Sequence, residues 1–271
     1  AEGKDADVIF VANMPLGNEI IQSYEKLKYI DVAFTGVDHI GLQAAKEKHV
    51  TVANAAGYSN EAVAELAVGG VLESLRYLPQ VEDNCRQSRT KENYLGNEIK
   101  GKTVGIIGLG KIGMRSAELF HAFGAEILAN KKHPAEVPAW ITLTSKEEIY
   151  QKADIIVLHC PLNEETRGMI AGQQLAMMKP TCVLVNLARG PVVNTADLAD
   201  ALNKHQIGGA VLDVFDQEPP LSQDHPFLHT PNTIVMPHIG FATKEAMEIR
   251  AQIVFQNLQS WMDGKPENIV L

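Results

Sequence analysis

Short apolar runs alternate along this chain with stretches whose apolar positions recur at helical spacing. Thr103–Ile107, TVGII, is a β-branched run of the kind buried on both faces of a parallel sheet. Five more strand-like runs follow, at 126–129, 154–158, 182–186, 209–213 and 233–237. The intervening stretches have readable helix ends. Ile112, Leu119, Phe120 and Phe123 recur at helical spacing, and Gly124 supplies a C-terminal stop. Ser145 with Glu148 fits a capping box, and Asn194 caps a helix containing Asp197, Leu198 and Leu202. Six strands alternating with helices predict a doubly wound parallel α/β sheet. The stretches 7–76 and 243–262 lie outside it, so two domains are expected: 1–76 with 243–271, and 77–242. The 59–78 stretch is apolar on nearly all sides and reads as a buried helix at the domain junction.

The first run ends in a glycine turn. Gly108, Gly110 and Gly113 stand at G-x-G-x-x-G spacing between a predicted strand and a predicted helix. There the first glycine makes the tight turn and the second lets backbone approach a pyrophosphate. The third lets the helix pack closely, its positive amino end aimed at the phosphates. The spacing alone is a weak signal; seated between strand and helix it predicts a Rossmann-type dinucleotide-binding domain. Other polar residues gather at the same sheet edge. Lys131 follows the second strand, Cys160 and Pro161 the third, and Arg189 the fourth; Asp213 ends the fifth and His238 follows the sixth. Open α/β sheets bind ligands at that edge.

Composition narrows the class. The 271 residues are 45% hydrophobic, enough for a sizeable core in two domains. A net charge of −9 argues against a nucleic-acid surface. Cys85, Cys160 and Cys182 are widely spaced, fit neither a disulfide framework nor a metal site, and point to a reducing compartment. With no recognisable signal peptide or membrane-spanning run, a cytoplasmic protein is expected. Asp38 and His39 alone make no metal site, and no metal is expected. Tyr24 and Lys28 spell a Y-x-x-x-K pair, but they precede the glycine turn and read as coincidence.

Three residues can carry reaction chemistry: Arg189, Glu218 and His238. An imidazolium can give a proton to a ketone oxygen as hydride reaches the carbon, and a carboxylate beside it keeps the ring protonated and correctly turned. A guanidinium offers a planar fork for a carboxylate or carbonyl. Each also has an ordinary reading, as a strand-end salt bridge, a turn residue before Pro219 or a loop histidine. Their order along a dinucleotide-binding sheet favours the chemical reading.

At these residues the chain resembles the D-isomer-specific 2-hydroxyacid dehydrogenases. The resemblance rests on GLGKIG (108–113), HCPLNEETRGMI (159–170), NLARGPVVN (186–194), GAVLDVFDQEP (209–219) and MPHIGFAT (236–243), with GVDHI (36–40) and AGYSNEAVAE (56–65) in support. It implies a dinucleotide-binding domain inserted into a flavodoxin-like substrate domain. It also implies roles: His238 as proton donor to a 2-oxo group, Glu218 as its partner and Arg189 as substrate anchor. Backbone amides near Gly36 and Val37 would hold the substrate carboxylate, with Tyr58 facing substrate. Gly108, Gly110, Lys111, Ile112, Gly113, Cys160, Pro161, Thr166, Leu187, Ala188, Arg189, Asp213, His238 and Gly240 would line the dinucleotide site, with Asp213 near the nicotinamide amide. Met14, Leu16, Phe34 and Tyr58 would shape the substrate pocket. A homodimer joined through the dinucleotide domains is implied as well.

Two departures from the family pattern matter. The acidic residue that binds a ribose 2′-hydroxyl is replaced by Lys131, followed by Lys132. Two lysines attract a 2′-phosphate where a carboxylate would repel it, so NADPH is favoured over NADH. The chain also opens where family members already have a strand and helix behind them, so about 45 residues of one βα unit are expected to be missing from its start. The resulting reading is an NAD(P)H-dependent reductase of small 2-oxo acids. The alternative is a non-catalytic, dinucleotide-sensing protein of corepressor type on the same scaffold. Neither nucleic acid nor membrane is an expected partner.

Overall fold

The structure is a computed structural model that describes residues 4–133 and 136–271. The chain divides into two units, Ala1–Ser59 with Phe241–Leu271, and Asn60–Gly240. In the first, β1 (Val8–Val11), α1 (Asn18–Gln22), β2 (Tyr29–Val32), α2 (Leu42–Glu47) and β3 (Thr51–Asn54) alternate, and the strands pair in parallel in the order β1-β2-β3. The central strand β2 is buried at every residue. Its Ile30 and Val32 share a core with Ile21 of α1 and Ala44 and Ala45 of α2.

The second unit begins with α3 (Asn60–Leu75) and α4 (Leu78–Arg86) and continues through β4 (Thr103–Ile107), α5 (Lys111–Ala122), β5 (Glu126–Asn130), β6 (Ile141–Leu143), α6 (Lys146–Lys152), β7 (Ile155–Leu158), α7 (Gly172–Met177), β8 (Val183–Asn186), α8 (Thr195–Asn203), β9 (Gly209–Leu212) and β10 (Thr233–Val235). Among the described residues its sheet has seven strands, all parallel, in the order β10-β9-β8-β7-β4-β5-β6. This is the doubly wound, Rossmann-type arrangement that the alternation predicts. Successive residues of a strand serve opposite layers. Ile106, Ile155 and Val157 face a core shared with α3 and α5, whereas Ile107, Ile156 and Leu158 face one shared with α6, α7 and α8.

The predicted runs fall on β4, β5, β7, β8, β9 and β10. The additional strand, β6, has three residues, of which only Ile141 is buried, so it carries no readable period. The 59–78 stretch is broken. α3 stops at Leu75, Tyr77 turns left-handed with φ 51°, and α4 starts there with Pro79 in its first turn. α3 packs on α5, β8, β9 and β10, and a Cβ on its Gly70 would stand 2.5 Å from Val211. The division of the chain therefore falls at Asn60, where a boundary at 76/77 was expected. Gly124 ends α5 in the left-handed region, φ 84°. Asn194 accepts the Asp197 amide at 3.0 Å. Ser145 accepts the Glu148 amide at 3.1 Å, but the Glu148 side chain turns to Thr144 and Lys152, so only half the box forms.

α9 (Lys244–Met262) belongs to the first unit, capped by the Thr243 hydroxyl on the Ala246 amide. Trp261 stacks on Tyr29 with centroids 4.8 Å apart. Asn257 donates to the buried Asp31 carboxylate at 3.2 Å and to the Asn54 carbonyl at 3.0 Å, fastening α9 to β2 and β3. Burial raises the Asp31 carboxyl above its ordinary value against the pull of the Asn257 amide and the Tyr29 hydroxyl. Among the described residues no helix is long and apolar enough to cross a membrane, and no cluster of ligating side chains could hold a metal.

Candidate active site

Three glycines shape the first loop of the second unit. Gly108 has φ 102°, and a Cβ there would lie 2.5 Å from the Cys160 nitrogen, so the turn needs both the conformation and the absent side chain. A Cβ on Gly113 would lie 2.1 Å from the Gly108 carbonyl oxygen, so the first turn of α5 sits directly on the loop. Gly110 is different: nothing lies within 4 Å of where its Cβ would be. It is the N-cap of α5 and provides no side-chain cap, so the first-turn amides have no protein acceptor from it. The positive end of a helix thus faces open space at the position a pyrophosphate needs. A cavity of about 580 Å³ opens there, lined by Leu109, Gly110, Lys111, Met114 and Lys131 among others.

The charges around that cavity are unequal. Arg115 is held by Glu61 at 2.8 Å and Glu118 at 2.9 Å. Lys132 is bound by both carboxylate oxygens of Glu165, at 2.7 and 2.8 Å, and that lysine draws the Glu165 carboxyl below its ordinary value. Lys131 makes no ion pair among the described residues. The end of β5 is joined to the glycine turn, since the Asn130 carbonyl accepts the Gly108 and Leu109 amides at 3.1 and 3.3 Å.

The segment after β7 folds on itself. Thr166 donates its hydroxyl to the Pro161 carbonyl at 2.6 Å, and Asn163 accepts the Glu165 and Thr166 amides. Cys160 is buried in the core, and that burial pushes its thiol up, away from thiolate chemistry. Sequence reasoning missed its neighbour His159. That imidazole lies 2.8 Å from the Ser116 hydroxyl of α5, and burial pushes it down to about 4. The histidine is therefore neutral and ties the end of β7 to the helix behind the glycine turn.

The loop after β8 is set by Asn186, which accepts the Ala188 amide at 3.1 Å and donates to the Arg189 carbonyl at 3.0 Å. Leu187 and Ala188 are buried beneath it. A Cβ on Gly190 would fall 1.8 Å from the Phe215 oxygen, so only glycine lets this loop meet the segment after β9. Asp213 stands at that point, almost wholly buried, with its two oxygens accepting the Ile239 amide at 2.8 Å and the Gly240 amide at 2.7 Å. Burial outweighs these donors and raises its carboxyl. His238, immediately before them, holds φ 56°, and its Nδ1 lies 2.8 Å from Glu218 Oε2. Two of the three residues singled out for chemistry therefore meet. A carboxylate so placed favours a proton on Nδ1, which leaves Nε2 as the ring atom able to exchange one.

In the first unit, Gly36 and Val37 lie in the loop after β2, where the Val37 carbonyl accepts the Ile40 amide at 3.0 Å. Tyr58 is buried, edge-on to Phe34 at 6.2 Å. Of the residues expected to shape a pocket, Leu16 is instead a core residue packed with Ile21 and Ile40, because its backbone pairs with His39 and turns its side chain inward. Met14 is 73% exposed.

A parallel sheet with an open glycine turn, an uncapped helix start and a histidine–carboxylate pair at one edge defines a dinucleotide-binding domain of an oxidoreductase. The chain matches the family model described as D-isomer specific 2-hydroxyacid dehydrogenase, NAD binding domain, over residues 68–240, and it belongs to that family. It is 37% identical over 274 residues to D-3-phosphoglycerate dehydrogenase of Methanocaldococcus jannaschii, a match spanning 98% of this chain and 52% of that protein. Among solved structures, D-lactate dehydrogenase from Aquifex aeolicus, complexed with NAD and lactic acid, matches with a TM-score of 0.90 at 30% identity over 98% of this chain and 87% of that one. An acyclic imino acid reductase in complex with NADPH and D-Arg matches with a TM-score of 0.93 at 30% identity, over 98% and 86%. The cofactor class is therefore a nicotinamide dinucleotide.

Proposed function

We propose that the protein reduces small 2-oxo acids to D-2-hydroxy acids, with NADPH preferred over NADH. The observation that carries this reading is the His238–Glu218 pair, 2.8 Å apart on a loop that Asp213 fixes. The uncapped start of α5 would hold the dinucleotide, which when bound would supply the hydride. Gly108, Gly110, Lys111, Ile112 and Gly113 form its phosphate cradle, and Cys160, Pro161, Thr166, Leu187, Ala188, Asp213 and Gly240 are its remaining proposed contacts. His238 gives the Nε2 proton to the carbonyl oxygen as the carbon is reduced, and Glu218 compensates the imidazolium charge before transfer. The ring, neutral afterwards, takes a proton back from solvent. Arg189 anchors the substrate carboxylate by its planar fork, with the Gly36 and Val37 amides and Tyr58 as further substrate contacts. No observation favours the sensing alternative. A homodimer through the dinucleotide-binding unit is part of the same proposal.

The coenzyme preference is assigned to Lys131, which lines the cavity at the end of β5 and makes no ion pair among the described residues, whereas Lys132 is held by Glu165. The test is NADH and NADPH oxidation with glyoxylate, hydroxypyruvate and pyruvate by the protein and by its Lys131→Asp variant. The expected result is turnover with at least one acid, and a loss of kcat/KM in the variant that is about tenfold larger for NADPH than for NADH. Equal losses would overturn the coenzyme assignment, and no turnover with any acid would overturn the reductase.

A further inference from the structure

Arg250 is carried on α9, and the first unit places aromatic rings against it. Its guanidinium carbon lies 5.6 Å from the ring centroid of Phe34 and 5.8 Å from that of Tyr58. Those two rings meet edge-on at 6.2 Å, and Phe241 packs on Phe34 at 4.9 Å, so the aromatic surface is itself braced. Rings within about 6 Å of a guanidinium attract it and restrict it, leaving its N–H edge as the face that seeks an acceptor. Among the described residues no carboxylate lies within 4 Å of that fork and no oxygen accepts from it. The side chain is only partly exposed, in a chain that as a whole carries a net charge of −9. A half-buried, braced fork without an acidic partner is the arrangement that receives an anion.

We propose that Arg250 binds a second anionic group on the substrate, so that 2-oxo acids bearing a distal carboxylate or phosphate are preferred to uncharged ones of the same length. This rests on the reductase reading, in which Tyr58 touches substrate. A site for an aliphatic tail would present the aromatic rings alone. Here the rings hold a charge whose desolvation an anion offsets and a methyl group does not.

The test compares 2-oxoglutarate and 3-phosphohydroxypyruvate with 2-oxovalerate in the full chain, in Arg250→Met and in Arg250→Lys. The expected result is a kcat/KM ratio favouring at least one of the charged acids by about tenfold or more, carried by KM. That ratio falls towards one in Arg250→Met and is partly kept in Arg250→Lys. Which charged acid shows it distinguishes carboxylate from phosphate. A ratio unchanged in Arg250→Met, or no preference in the unmodified protein, overturns the role of Arg250 while leaving the reductase intact. Calorimetric titration of glutarate against valerate decides the same point without turnover. Glutarate binding lost in Arg250→Met supports the site, and equal binding of the two acids by the unmodified protein overturns it.

Discussion

His238 occupies a left-handed backbone conformation that a residue with a Cβ adopts only when its surroundings impose it. Here Asp213 imposes it, by accepting the two amides that follow the histidine. The pairing with Glu218 then fixes the ring from its other side. Replacing Glu218 with Gln keeps the hydrogen-bonding shape and removes the charge that compensates the imidazolium. The expected outcome is a fall in kcat of about tenfold to a hundredfold with KM for coenzyme unchanged, read by steady-state kinetics. An unchanged kcat would contradict the role given to Glu218. Both residues were legible in the sequence because each sits in a short motif after a strand. The backbone-holding part of Asp213 was not, since no local spacing announces that one carboxylate will accept from Ile239 and Gly240.

At the scale of elements, the dinucleotide edge is held together by links between loops and helices. His159 at the end of β7 reaches Ser116 on α5, behind the glycine turn. Its imidazole, ordinarily near 6.5, is pushed down to about 4 by burial. Between those values the unfolded chain binds more protons than the folded one, so stability rises with pH there. The contribution is complete above about 6.5 and is lost as pH falls towards 4, amounting to about 2–3 kcal/mol. Urea unfolding of the protein and of His159→Gln across that range should show a shallower acid loss in the variant. Parallel curves would mean that another group sets the acid limit. The glycine turn, six of the seven strands of the larger sheet and the caps at Asn194 and Gly124 were readable because each is a local signal of period, turn or cap. β6 shows no apolar run, since two of its three residues are exposed. The break between α3 and α4 was hidden because the apolar run continues across Tyr77. The capture of Lys132 by Glu165 joins segments far apart in the chain, which composition alone does not pair.

For the whole molecule, two parallel sheets form two units, and the larger one matches the NAD-binding domain of the D-isomer-specific 2-hydroxyacid dehydrogenases. The order of motifs along the chain made the larger fold readable. The membership of α3 depended on which surface its apolar sides meet, which no pattern within the helix specifies. The central claim is that this chain uses a bound dinucleotide to reduce a 2-oxo acid, with His238 supplying the proton. The most direct measurement is single-turnover reduction by His238→Gln, alongside NADH and NADPH binding by fluorescence titration. Coenzyme affinity retained within about twofold, with the rate reduced by about a hundredfold or more, is the predicted result. A rate that survives the substitution would contradict the account.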